Sequence, residues 1–128
     1  MTLEIISTTK APSAVGPYSQ AVKAGEFLFA SGQVPLVPET GKLAAGGVAV
    51  QAEQCMKNVG AILDSAGLSY DDVVKTTVYL TNMSFFNTVN EIYAAYFKRT
   101  LPARSCVAIN QLPKGAYVEV EVTAYCGK

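Results

Sequence analysis

The chain has no histidine. That absence removes Ser-His and Cys-His nucleophilic pairs and every metal site built on imidazole. Any acid–base work is left to carboxylates, Tyr, Cys, Lys or a bound water. Cysteine is scarce too: Cys55, Cys106 and Cys126 are an odd set without C-x-x-C spacing. Neither a disulfide framework nor a zinc site is expected from them, and a reducing cytoplasm is the expected setting. Charge is thin, at 16% of residues, and ten basic side chains balance ten acidic ones. A protein without basic excess is a poor candidate for nucleic-acid binding. So little charge also suggests that some surface is covered by another subunit. No apolar run approaches membrane-spanning length, no basic-then-apolar leader opens the chain, and no solenoid repeat or low-complexity tract appears.

What is present reads as a single domain of 128 residues, half of them apolar. Leu3 to Ser7 suits a short strand, and Gly16-Pro17-Tyr18 suits a turn that fixes a tyrosine ring. Ala21–Lys23 and Phe27–Ser31 flank a hairpin signal at Ala24-Gly25-Glu26. A loop follows, punctuated by Pro35, Pro38, Gly41, Gly46 and Gly47, with no phosphate-cradling fingerprint. Val48, Ala52, Cys55, Met56, Val59, Ile62, Leu63 and Ala66 then recur at helical steps, with Gly67 at the C-terminal cap position. Cys55 lies inside this stripe and reads as core. After Asp71-Asp72, a helix-start pair whose side chains do not converge, Val74 to Leu80 alternates as a strand. Asn82 or Ser84 caps a second helix whose stripe runs through Phe85, Phe86, Val89, Ile92, Tyr93, Tyr96 and Phe97. Asn90 stands one step off that stripe.

Two further strands close the chain, at Arg104–Val107 and Ala116–Tyr125, joined by a turn at Leu112-Pro113-Lys114-Gly115. The order is β-β-β-α-β-α-β-β. It predicts an α+β fold with a six-stranded mixed sheet and both helices on one face. Pairing the last two strands as a hairpin gives Val107, Ile109 and the valines of the last strand to the helices. Arg104, Cys106, Tyr117, Glu119, Glu121 and Tyr125 then share the opposite face, with Arg104 and Cys106 in reach of Glu119 or Glu121. Three readings fit such a face. It is a structural ion pair among tyrosines, a carboxylate-binding site with a glutamate that activates water, or a binding surface without chemistry. Cys106 as a nucleophile ranks below all three, with no histidine to lower its pKa.

The motifs, in order and spacing, resemble those of the reactive-intermediate (enamine/imine) deaminases, the Rid family. They are Gly16-Pro17-Tyr18-Ser19-Gln20, Ser31-Gly32-Gln33, Val74-Lys75-Thr76-Thr77-Val78, Asn87-Thr88-Val89-Asn90, Pro102-Ala103-Arg104-Ser105-Cys106-Val107, and Leu112-Pro113-Lys114 followed by Val118-Glu119-Val120-Glu121. The resemblance implies a chorismate-mutase-like fold and a homotrimer with active sites between subunits. It implies hydrolysis of 2-iminobutanoate and 2-iminopropanoate to 2-keto acids and ammonia, with no metal or organic cofactor; that no nucleic acid and no membrane are expected as partners follows from the charge balance and the lack of a long apolar run. The resemblance implies roles as well. Arg104 would grip the substrate carboxylate, backbone groups of Cys106 would hold the nitrogen end, and Glu119 would orient water. Tyr18, Ser31, Gly32 and Asn90 would line the cleft. The alternative is a non-catalytic small-ligand-binding or chaperone-like trimeric module; an endoribonuclease fits the charge balance poorly.

Overall fold

The computed structural model describes residues 3–127. Six strands, Leu3–Ile6 (β1), Ala21–Ala24 (β2), Phe27–Ala30 (β3), Val73–Leu80 (β4), Ala103–Ala108 (β5) and Val118–Tyr125 (β6), form one sheet. Helices Val48–Ser65 (α1) and Phe86–Ala94 (α2) connect β3 to β4 and β4 to β5. No helix among the described residues is long and apolar enough to cross a membrane.

Each element follows from its local sequence. The α1 stripe buries Cys55, Met56, Val59, Ile62 and Leu63 to within 1% of full burial. Each large side chain so placed contributes about 1.5–3 kcal/mol. At its end Leu68 N–H reaches Leu63 O at 2.8 Å and Gly67 N–H reaches Asp64 O at 3.0 Å. Gly67 has a φ of 75°, so this is a Schellman termination that a side chain would strain. Asn82 caps a 3₁₀ turn, Met83–Phe85, that runs straight into α2, and its Oδ1 accepts from Ser84 N–H. In β6 the alternation is complete: Val118, Val120, Val122 and Ala124 are buried, while the residues between them are half-exposed.

The strand order is β1-β2-β3-β6-β4-β5. The last strand therefore inserts between β3 and β4, antiparallel to both. β5 pairs with β4 in parallel, the expected result of a β-α-β crossover through α2. This overturns the expected hairpin of the last two strands. β4 separates them, and the turn at Pro113–Gly115 carries the chain across the sheet end instead.

The register also reverses the expected facing of β5. Arg104 pairs with Thr76 and Cys106 with Val78, and these in turn pair with the helix-facing Val122 and Val120. Arg104 and Cys106 thus share the helix side of the sheet. Val107 and Ile109, expected there, are 40% and 36% exposed. Tyr117 departs as well, leaving the strand to pack on Phe85 with ring centroids 5.2 Å apart. Glu119, Glu121 and Tyr125 keep their expected place on the uncovered face, with Phe27 and Phe29 alongside.

Candidate functional site

The side chains singled out from sequence gather in two places on opposite faces of the sheet. On the uncovered face, a cavity of about 430 Å³ is lined by Tyr18, Ser31, Gly32, Pro113, Lys114 and Glu119, among others. Glu119 reaches it from β6. Gln33, just beyond β3, exchanges both backbone hydrogen bonds with Val120, at 2.7 and 3.1 Å. That bridge draws Ser31 and Gly32 across the Glu119 side chain. Burial pushes the Glu119 carboxyl above the usual carboxylate range, and the neighbouring Glu121 carboxylate adds to the shift. Glu121 itself accepts from Tyr79 Oη at 3.1 Å. The Tyr18 ring stands on the loop opposite, half-exposed.

On the helix face, at the sheet edge, Arg104 lies across α2. Its Nη1 donates to Asn90 Oδ1 at 2.7 Å, and its guanidinium carbon sits 5.0 Å from the Tyr93 ring centroid and 5.6 Å from that of Phe86. Stacking on two rings fixes the plane of the fork while leaving donors free for a carboxylate. A second cavity of about 350 Å³ opens there, lined by Asn90, Tyr93, Ala94, Leu101, Pro102 and Arg104. The Tyr93 hydroxyl shares a 2.8 Å hydrogen bond with buried Thr76, which anchors the platform into β4.

Cys106 lines neither cavity. It is half-buried against the core, and its thiol pKa is raised by burial despite the opposing pull of Arg104, which speaks against a thiolate nucleophile. Its backbone is another matter. Ile109 N–H bonds to Leu80 O, so alternate residues of β5 turn their amides toward β4 and those between turn them away. By this alternation the N–H and C=O of Cys106 face the outer side of the edge strand. Cys55 stays in the core as expected, its Sγ 3.5 Å from Val118 O.

Within one chain, then, Tyr18, Ser31, Gly32 and Glu119 are brought together, and Asn90 and Arg104 are brought together, but the two sets are not. They lie on opposite faces, and β4 runs between β5 and β6.

The chain matches the sequence profile of the endoribonuclease L-PSP family over residues 8–126. It belongs to that family. A mouse relative named 2-iminobutanoate/2-iminopropanoate deaminase is 52% identical over 124 residues, which span 97% of this chain and 92% of the relative. Among solved structures, RidA from the Antarctic bacterium Psychrobacter superposes with a TM-score of 0.92 at 47% identity, covering 95% of this chain and 98% of that one. TdcF from E. coli with bound serine superposes with a TM-score of 0.90 at 43% identity, over 95% and 98%. The fold is therefore the chorismate-mutase-like fold of the Rid proteins.

In this Rid-family chain the sequence reading missed several contributors. Phe86 and Tyr93 pass for core residues of an aromatic stripe, yet both also carry Arg104. Their only signal is a spacing that puts them on the same helix side as Asn90. Pro113 and Lys114 pass for a turn, and they form a wall of the Glu119 cavity.

Proposed function

We propose that the protein is a single-domain cytoplasmic deaminase that hydrolyses 2-iminobutanoate and 2-iminopropanoate to 2-keto acids and ammonia, and that it works as a homotrimer. One observation carries the reading. Arg104 and Glu119 face opposite ways across the sheet, each into its own cavity, so two copies of the chain are needed to make one site. The large apolar side chains on the uncovered face, Leu3, Ile5, Phe27, Phe29 and Val107, are 40–59% exposed and give a second copy something to bury. The name of the mouse relative supports the substrate class, and the serine held by the E. coli relative supports a small amino-acid skeleton.

In this reading the Arg104 fork takes the substrate carboxylate in two-pronged fashion, oriented by Asn90 and the rings beneath it. The outward backbone groups of Cys106 hold the nitrogen. Tyr18, Ser31 and Gly32, from the neighbouring copy, wall the other side beside Glu119. A protonated imine is already electrophilic, so orientation, a water and a proton acceptor suffice. Water adds to C2 while the C=N π electrons move to nitrogen, and Glu119 takes the proton that water sheds. The resulting carbinolamine receives that proton on nitrogen; its C–N bond then breaks to release ammonia while Glu119 takes the hydroxyl proton and the C=O bond of the ketone closes. A carboxyl held above its ordinary pKa is well matched to both steps.

The test is ammonia release from a dehydratase that generates 2-aminoacrylate, with and without the protein. The expected result is acceleration that falls by about 10²-fold or more in Arg104→Ala while the assembly state is unchanged. An Arg104→Ala protein as fast as wild type rejects the reading. A trimer that suppresses aggregation of other proteins equally well with Arg104→Ala, and does not accelerate ammonia release, favours the chaperone-like alternative.

A further inference from the structure

We propose that Gln20 is a positioning residue of this site, acting through Tyr18 by pinning the base of the loop that carries it. The inference deepens the deaminase reading above and rests on it.

Gln20 sits directly before β2 and is 5% exposed. Its carboxamide uses both ends on a neighbouring segment. Oε1 accepts from Thr8 N–H at 2.7 Å, and Nε2 donates to Thr8 O at 3.0 Å, Pro12 O at 2.8 Å and Ala11 O at 3.4 Å. Two amide hydrogens serve three carbonyls, so one is shared. The group grips Thr8 as a strand partner would, by N–H and C=O together, and ties Pro12 to the same point. The far end of the loop has its own anchor. Ser31 Oγ donates to Ser19 O at 2.6 Å, and Ser31 N–H donates to Gln20 O at 2.9 Å.

Between the anchors, residues 13–18 have little behind them. Val15 is 75% exposed and Tyr18 51%. The backbone bond from Tyr18 N–H to Gly16 O, 2.8 Å, is internal to the loop. One side of the loop faces the Glu119 cavity, which Ser13, Val15 and Tyr18 line. The other side faces a separate cavity of about 490 Å³, lined by Ser13, Ala14 and Tyr18 among others. Within its own chain the loop has open space on both sides, so what that chain contributes to its place comes from the pins at its base rather than from packing. Gln20 is chemically suited to the pin. The position needs a donor and an acceptor on one planar, buried group. An ionised glutamate would turn two acceptors toward three carbonyls, and methionine would fill the space with neither.

The test compares Gln20→Met and Gln20→Glu, each alone and combined with Tyr18→Ala, by steady-state kinetics and by hydrogen exchange of residues 8–18. Loosening a wall that binds substrate and transition state alike should raise KM by about tenfold with kcat within about threefold. In the Tyr18→Ala background the same change should raise KM less than about twofold, because the group it acts through is gone. Exchange should quicken within residues 8–18 and not in β2 or β3. The proposal is overturned if KM is unmoved, if the KM factor is the same in both backgrounds, or if faster exchange spreads through the sheet. Failure of both variants to fold also overturns it, since Gln20 would then serve the fold as a whole. If the wild-type protein proves not to be a deaminase, the exchange pattern still decides whether Gln20 pins the loop.

Discussion

Gly32 backs directly onto the Glu119 carboxylate: a Cβ added at Gly32 would lie 2.6 Å from Oε2 and 2.7 Å from the carboxyl carbon. What Gly32 supplies here is space beside the carboxylate. Gly32→Ala should therefore swing the far end of Glu119 away and leave the sheet intact. The expected result is a kcat about 10²-fold lower, with unfolding free energy within about 1 kcal/mol of wild type. Turnover and a urea melt on the same preparation separate the two.

The raised pKa of Glu119 gives a pH dependence with a definite sign. As a base it must be ionised, so activity falls as pH drops through its raised value, above the usual value of about 4.3. That limb should vanish in Glu119→Gln. It should move to lower pH in Glu121→Gln, which removes the second of the two causes. Stability runs the other way. The folded state holds this proton to higher pH than the unfolded chain does. The stabilisation is complete below the unfolded value and is lost as pH rises through the folded one. Glu119→Gln should thus melt higher than wild type at neutral pH and gain nothing in acid, a comparison that scanning calorimetry makes directly.

Asn90 touches Arg104 from the helix side and leaves the rest of the fork free. Asn90→Ala should raise KM by about 2–10-fold, the weight of one hydrogen bond, and change kcat little. Arg104→Lys should cost more, about 10²-fold in kcat/KM, because lysine loses both the two-pronged grip and the stack on Tyr93 and Phe86. Kinetics over several imine precursors rank the two.

Tyr93 separates stability from binding. Tyr93→Phe takes its hydroxyl partner from Thr76, which is fully buried, at a cost of about 1–3 kcal/mol. The ring under the guanidinium remains. A lower urea midpoint with an unchanged KM is the expected pair of results.

Some of this was legible in the sequence and some was not, for identifiable reasons. The α1 stripe and the β6 alternation each bury one continuous face in the core, so periodicity alone revealed them, down to the Gly67 termination. Arg104 stood out by its place after the Pro102 break, whereas pattern left Glu119 level with Glu121 and Asn90 merely one step off its stripe; the family resemblance is what singled out those two. Their mutual placement was not visible. Alternation says which side chains share a face of one strand, but not which strand lies next to it. The short turn at Leu112–Gly115 favoured a hairpin, and the crossover through α2 favoured β4 as the partner of β5. The crossover won, because a helix between two strands carries the second back parallel to the first. The facing of Arg104 failed with it. At an edge strand the helix side is incompletely covered, so an arginine is tolerated among valines there, and polarity no longer reports the face. The loop carrying Tyr18 was legible only as a turn, since what holds it is a tertiary contact twelve residues away, between Gln20 and Thr8.

The opposed facing of Arg104 and Glu119 has a genetic consequence. A chain slowed for want of one is whole in its other half. Arg104→Ala and Glu119→Gln chains, each strongly slowed alone, should recover activity when unfolded and reassembled together, because some junctions then join an intact Arg104 half to an intact Glu119 half. Two chains damaged in the same half should never rescue one another.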